Sequence, residues 1–122
     1  MRKKKPLGDS EQICELVVKG LQEKKGEDIA VIDLRTLKNA VSDFFVVCSG
    51  TSGTHIDSLS DSVEDIVHKG IDAWPWHSEG RENKEWILLD YVNVVAHIFI
   101  KDRREFYGIE ELWSDAPIKK YN

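Results

Sequence analysis

At 122 residues the chain has room for one domain with one core and too little for two cores of ordinary size. Hydrophobic residues at 41% and charged residues at 32% match a soluble globular protein, and no run approaches the ~20 apolar residues that span a bilayer. Net charge is −5, but Arg2, Lys3, Lys4 and Lys5 account for four of the 17 basic side chains; the remaining 13 face 22 acidic ones, a net of −9 over residues 9–122 that repels bare nucleic acid and favours a basic partner.

Residues 1–8 read as a basic, solvated, disordered arm able to touch phosphate, with no apolar stretch behind it to make a signal peptide or an anchor. Asp9 with Gln12 three residues on resembles a capping box, and Ile13, Leu16, Val17 and Leu21 then recur at helical spacing, ending before Gly26. Ile29–Ile32 is a short β-branched run. After a polar connection, Phe44–Cys48 is apolar at every position, as in an inner strand buried on both faces. Ser49-Gly50-Thr51-Ser52-Gly53 then leads into a stripe of Ile56, Leu59, Val63, Ile66 and Val67, a second helix with Gly70 placed as its C-terminal stop. Pro75 between Trp74 and Trp76 suits an edge strand or extended arm. Glu85–Tyr91 and Val94–Ile100 predict a hairpin around Tyr91-Val92-Asn93, a turn without the usual glycine. The stretch from Asp102 to Trp113 predicts two short turns of helix broken at Gly108, and residues 116–122 read as a tail.

The order is α-β-β-α-β-β-β-α, which predicts an α/β fold with a mixed sheet of about five strands and helices packed on it, in one domain over residues 9–115. Cys14 and Cys48 lack C-x-x-C spacing and read as reduced core thiols, which together with the missing leader points to the cytoplasm.

Four features invite a chemical reading. The Gly50–Gly53 turn has the form of a phosphate cradle or a nucleotidyltransferase loop. It matches no phosphate-binding motif, and no pair of carboxylates one residue apart on a nearby strand is present to hold magnesium, so Thr51 or Ser52 capping the second helix is the competing reading. Asp57, Asp61 and Asp65, with Glu64 beside them, form an acidic helix face that reads as solvated because no bend gathers them round one ion. His97 stands in an apolar strand with Asp90 and Glu79 nearby, too few groups for a metal or acid–base site, and reads as a hydrogen-bonded, half-buried histidine. In the strand Glu85–Tyr91, Trp86, Leu88 and Asp90 point to one face and Ile87, Leu89 and Tyr91 to the other. An aromatic beside a carboxylate suits a protein-binding hot spot, while a core reading has to bury Asp90 or place it at the strand end; both remain open from the residues alone.

Taken together, Val41-Ser42-Asp43-Phe44-Phe45-Val46-Val47-Cys48-Ser49-Gly50-Thr51-Ser52, Glu79-Gly80, Glu85-Trp86-Ile87-Leu88-Leu89-Asp90-Tyr91, Val95-Ala96-His97-Ile98-Phe99 and Arg104-Glu105-Phe106-Tyr107-Gly108-Ile109-Glu110-Glu111-Leu112-Trp113 resemble the ribosomal silencing factor family, also called Iojap-related proteins. The resemblance covers about residues 10–115. It implies a nucleotidyltransferase-like fold without the catalytic acids, no enzymatic activity and no cofactor. It implies a partner as well, the basic large-subunit ribosomal protein number fourteen at the intersubunit face, so that a bound copy blocks subunit joining and represses translation. It also implies a homodimer when free. Trp86, Leu88, Asp90 and Glu79 are the partner-binding residues it points to, and Arg2, Lys3, Lys4 and Lys5 are candidates for contact with ribosomal RNA. The chain departs from the family pattern at Val92-Asn93, where Gly-Asp is usual. The alternatives are an enzyme using the Gly50–Gly53 turn and a scaffold that assembles through the aromatics around Tyr107 and Trp113.

Overall fold

The computed structural model describes residues 8–121, so the expected contacts of Arg2, Lys3, Lys4 and Lys5 lie outside the described residues. Helix α1 (Ser10–Glu23) starts where Asp9 accepts the Gln12 backbone N–H at 3.0 Å, satisfying one donor that a helix start leaves open. Strands β1 (Glu27–Asp33) and β2 (Phe44–Gly50) follow, and α2 (Gly53–Ile71) carries the chain across the sheet to β3 (His77–Glu79). Strands β4 (Trp86–Asp90) and β5 (Val94–Ile100) form the hairpin, and the short helices α3 (Lys101–Tyr107) and α4 (Ile109–Leu112) meet at Gly108.

The sheet runs β3-β4-β5-β2-β1-β6, with β2 and β5 parallel and every other pair antiparallel. It has six strands rather than about five. The sixth is β6 (Ile118–Tyr121), which pairs along β1 from the stretch expected to be a tail. Ile118 and Tyr121 are its only large apolar residues, too weak a pattern in four residues to separate it from a polar end.

One face of the sheet is sealed by α1 and α2. Ile13, Val17 and Leu21 from α1 and Ile56, Leu59, Val63 and Val67 from α2 pack on Val46, Cys48, Ile87, Leu89, Ala96 and Ile98, all with little or no exposure. The opposite face has a smaller cluster, Ile32, Leu34, Val47, Phe99 and Ala116, roofed by Ile109 and Trp113 near α4 and by Leu37 and Ala40. β2 is therefore covered on both sides, as its unbroken apolar run requires. Cys14 and Cys48 are free and buried, and burial pushes both thiols up to about 12.

Gly70 does not stop α2. The helix runs on to Ile71 and ends at Asp72, whose φ of 55° is left-handed, while Gly70 faces Leu16 of α1. The hairpin closes without glycine because Asp90 supports it. Val92 has φ 74°, a conformation a β-branched residue rarely adopts, and its N–H donates to the Asp90 carboxylate at 2.7 Å.

The helices themselves touch at Gly20. A Cβ there would lie 2.7 Å from the Val63 Cα, and the Ser62 hydroxyl donates to the Gly20 carbonyl at 2.7 Å. Alanine is the better helix former by ~1 kcal/mol, but a forced backbone separation costs about 1–3 kcal/mol. Gly20→Ala should therefore lower the urea midpoint; a midpoint equal to or above that of the parent protein would show that the helices are free to move apart.

Candidate functional site

Register across the sheet follows from β4. Burying Ile87 and Leu89 under the helices turns Trp86, Leu88 and Asp90 to the other face, where each is half-buried. Three rows result. Trp86 lies beside Phe99, Leu88 lies between Glu79 and His97, and Asp90 lies between His77 and Val95. The four residues singled out in the sequence thus share one face, toward the β3–β4 edge of the sheet.

Trp86 is held on several sides. Its ring stacks on Phe99 at 5.1 Å, meets Tyr107 of α3 at 4.7 Å, and its indole N–H donates to His97 Nδ1 at 3.1 Å. An indole only donates, so Nδ1 accepts and the neutral imidazole carries its proton on Nε2. His97 is more enclosed than its sequence suggests, at 3% exposure, and its Nε2 has no hydrogen-bond partner among the described residues. Burial lowers its pKa to about 4, against a smaller opposing pull from Asp90. Glu79 does not reach His97; it pairs with His77 Nε2 at 2.8 Å.

The acidic face of α2 is less solvated than expected. Arg81, from the loop between β3 and β4, reaches Asp57 at 2.7 Å and Asp61 and Glu64 at 2.9 Å each, while Asp65 pairs with Lys69. The hydrogen bond from Arg81 holds the Asp57 carboxyl below its usual range. A bend in α2 is unnecessary because the guanidinium comes to the helix.

The Gly50–Gly53 turn acts as a cap. Ser52 Oγ accepts the His55 N–H at 3.1 Å, and His55 Nδ1 accepts the Thr51 N–H at 2.9 Å. His55 Nε2 then meets the Lys24 carbonyl at 2.8 Å, tying the turn to the end of α1. Two backbone donors at this turn, the Thr51 and His55 N–H groups, are committed to the protein. Nearby, Arg104 donates to Ser49 Oγ at 3.0 Å and pairs with Glu110 at 2.8 Å, and among the described residues no group of three or more potential ligands could hold a metal ion.

Sequence reasoning missed two contributions from α3 and α4. Tyr107 completes the aromatic stack on Trp86, and Phe106 and Leu112 are each 72% exposed on the same short helices, whereas Trp113 is inward against Phe45. Gly108, with φ 62°, breaks the two short helices apart, and the inward and outward aromatics Tyr107 and Phe106 both precede it.

Trp86 and Asp90 thus stand half-buried on one face of the sheet, and the Ser49–Gly53 turn serves to start α2. Residues 8–122 match the family described as ribosomal silencing factor during starvation, and the chain belongs to that family. It is 31% identical over 111 residues to the ribosomal silencing factor RsfS of Bacillus subtilis, covering 90% of this chain and 92% of that one. It is 28% identical over 102 residues to mitochondrial assembly of ribosomal large subunit protein 1 from Mus musculus, covering 82% of this chain and 44% of that one. A crystal structure of a protein from Chromobacterium violaceum superposes with a TM-score of 0.80 at 31% identity, covering 88% of each chain.

The buried histidine sets a pH dependence. Its folded pKa is depressed from 6.5, so the unfolded chain takes up a proton first as pH falls. The contribution of His97 is complete above about 6.5 and is lost toward about 4, at up to ~1.4 kcal/mol per pH unit. Urea unfolding at pH 7 and pH 4.5 should show a larger loss for the parent protein than for His97→Phe; equal losses would mean that His97 titrates normally.

Proposed function

We propose that the chain binds the large ribosomal subunit through the Trp86, Leu88 and Asp90 face of β4, with Glu79 at its edge. On this reading its partner is the basic ribosomal protein number fourteen at the intersubunit surface. A copy seated there occupies the space the small subunit needs, so joining stops and translation is repressed without any bond being made or broken. The observation that carries the reading is the face itself, an aromatic, an apolar side chain and a carboxylate in alternate positions, each half-exposed, with Trp86 and Asp90 held by hydrogen bonds to neighbouring residues. Membership of the silencing factor family and the name of the mouse relative, which ties that protein to the large subunit, support the choice of partner. The acidic body supports a basic one.

On this reading Trp86 is the hot-spot anchor, a large ring with few rotamers left to lose on binding. Asp90 contributes charge, but its carboxylate also holds Val92, so Asn is the fair substitution: it keeps an acceptor and removes the charge. In a pelleting assay with purified large subunits, Trp86→Ala should weaken binding about 10-fold or more and Asp90→Asn by a smaller factor that shrinks as salt is raised. Added small subunits should form fewer joined ribosomes in the presence of the parent protein than of Trp86→Ala. Protein that stays in the supernatant, or a Trp86→Ala variant that pellets normally, would contradict the proposal.

A further inference from the structure

Past Ala73 the connection from α2 to β4 adds nothing to either core. None of residues 74–85 is buried, and β3 is an edge strand with all three side chains exposed. Segments with few buried contacts and exposed backbone hydrogen bonds open at the low end of a protein's stability range. Main-chain pairing ties β3 to Leu88, Leu89 and Asp90, and the His77–Glu79 pair is internal to the strand. A single guanidinium makes the side-chain attachment to α2: Arg81 reaches Asp57 at 2.7 Å and Asp61 and Glu64 at 2.9 Å each, with Lys84 3.5 Å from Asp57 as a weaker second. Arg81 is aimed by Gly80, whose φ of 92° and close approach to the Trp86 carbonyl leave no room for a Cβ. Both ends of the segment are strained, since Asp72 and Lys84 each hold a φ of 55° that costs a residue with a side chain.

We propose that residues 75–84 are a strap that opens as a unit, with the Arg81 clamp as its latch and Asp72 and Lys84 as the hinges near its two ends. Opening breaks the β3–β4 pairing and lets both hinge residues leave the left-handed region. It exposes no core, because Ile87 and Leu89 stay covered by the helices and β4 stays paired to β5. What opening does expose is the outer edge of β4, a row of backbone donors and acceptors that β3 otherwise satisfies. The strap also carries Glu79 away while leaving Trp86, Leu88 and Asp90 on the sheet. Latch and edge are properties of the chain alone, so the inference does not rest on the docking proposal.

Hydrogen exchange of the full-length protein, read residue by residue by NMR, tests the strap. The protected amides of residues 76–79 should exchange faster than those of β2 and β5, through an opening smaller than global unfolding. Arg81→Gln should speed them by about 5- to 30-fold relative to β5. Asp57→Asn, which loosens the latch without adding like-charge repulsion to α2, should speed them by a smaller factor. Added salt should accelerate the strap of the parent protein and leave that of Arg81→Gln unchanged. Strap amides as slow as those of β5 in the parent protein would overturn the inference. Equal acceleration of strap and β5 in both variants would overturn it too, making Arg81 a support of overall stability alone.

Discussion

Everything on the candidate face follows from which side of β4 is buried. Ile87 and Leu89 have no exposure beneath α1 and α2, and a strand alternates its side chains, so Trp86, Leu88 and Asp90 have one face left to occupy. A slip of one residue in register would bury a carboxylate and expose two large aliphatic side chains, a cost that fixes the pairing firmly. The helix core therefore determines the geometry of the candidate face from the opposite side of the sheet. Gly20 matters for the same reason, since the close approach of α1 and α2 keeps that core sealed.

Two polar devices then stiffen the face. The indole of Trp86 is anchored to a neutral imidazole in a nearly closed space, and the Asp90 carboxylate holds a turn that glycine would otherwise be needed to make. Both residues that would meet a partner also have work inside the fold. Charge elsewhere is arranged to leave them distinct. Arg81 gathers Asp57, Asp61 and Glu64, and Arg104 is taken up by Glu110 and Ser49, so much of the acidity along α2 is already answered within the chain.

Long, strongly patterned elements were legible in the sequence. The cap at Asp9, the stripe of α2, the unbroken apolar run of β2 and the alternation of β4 each carry their structure in local chemistry. What escaped depended on distant partners. β6 is four residues that make sense only beside β1, and Arg81 reaches the acidic helix from 17 to 24 positions away. His55, one of several scattered histidines in the sequence, becomes a brace because the end of α1 happens to lie above it. Gly70 misled for the opposite reason: it has the composition of a helix stop but is used for packing on Leu16. On the candidate face, alternation placed Trp86, Leu88 and Asp90 together, but the support from His97 and Tyr107 required the fold.

The most direct test of the central claim is a cryo-electron microscopy structure of the protein bound to the large subunit. The account predicts that the β4 face, with Trp86 and Leu88 against ribosomal protein and Asp90 toward a basic group, forms the contact, and that α1 and α2 point to solvent. A complex seated through α1 and α2, or one bound clear of the surface that meets the small subunit, would contradict it.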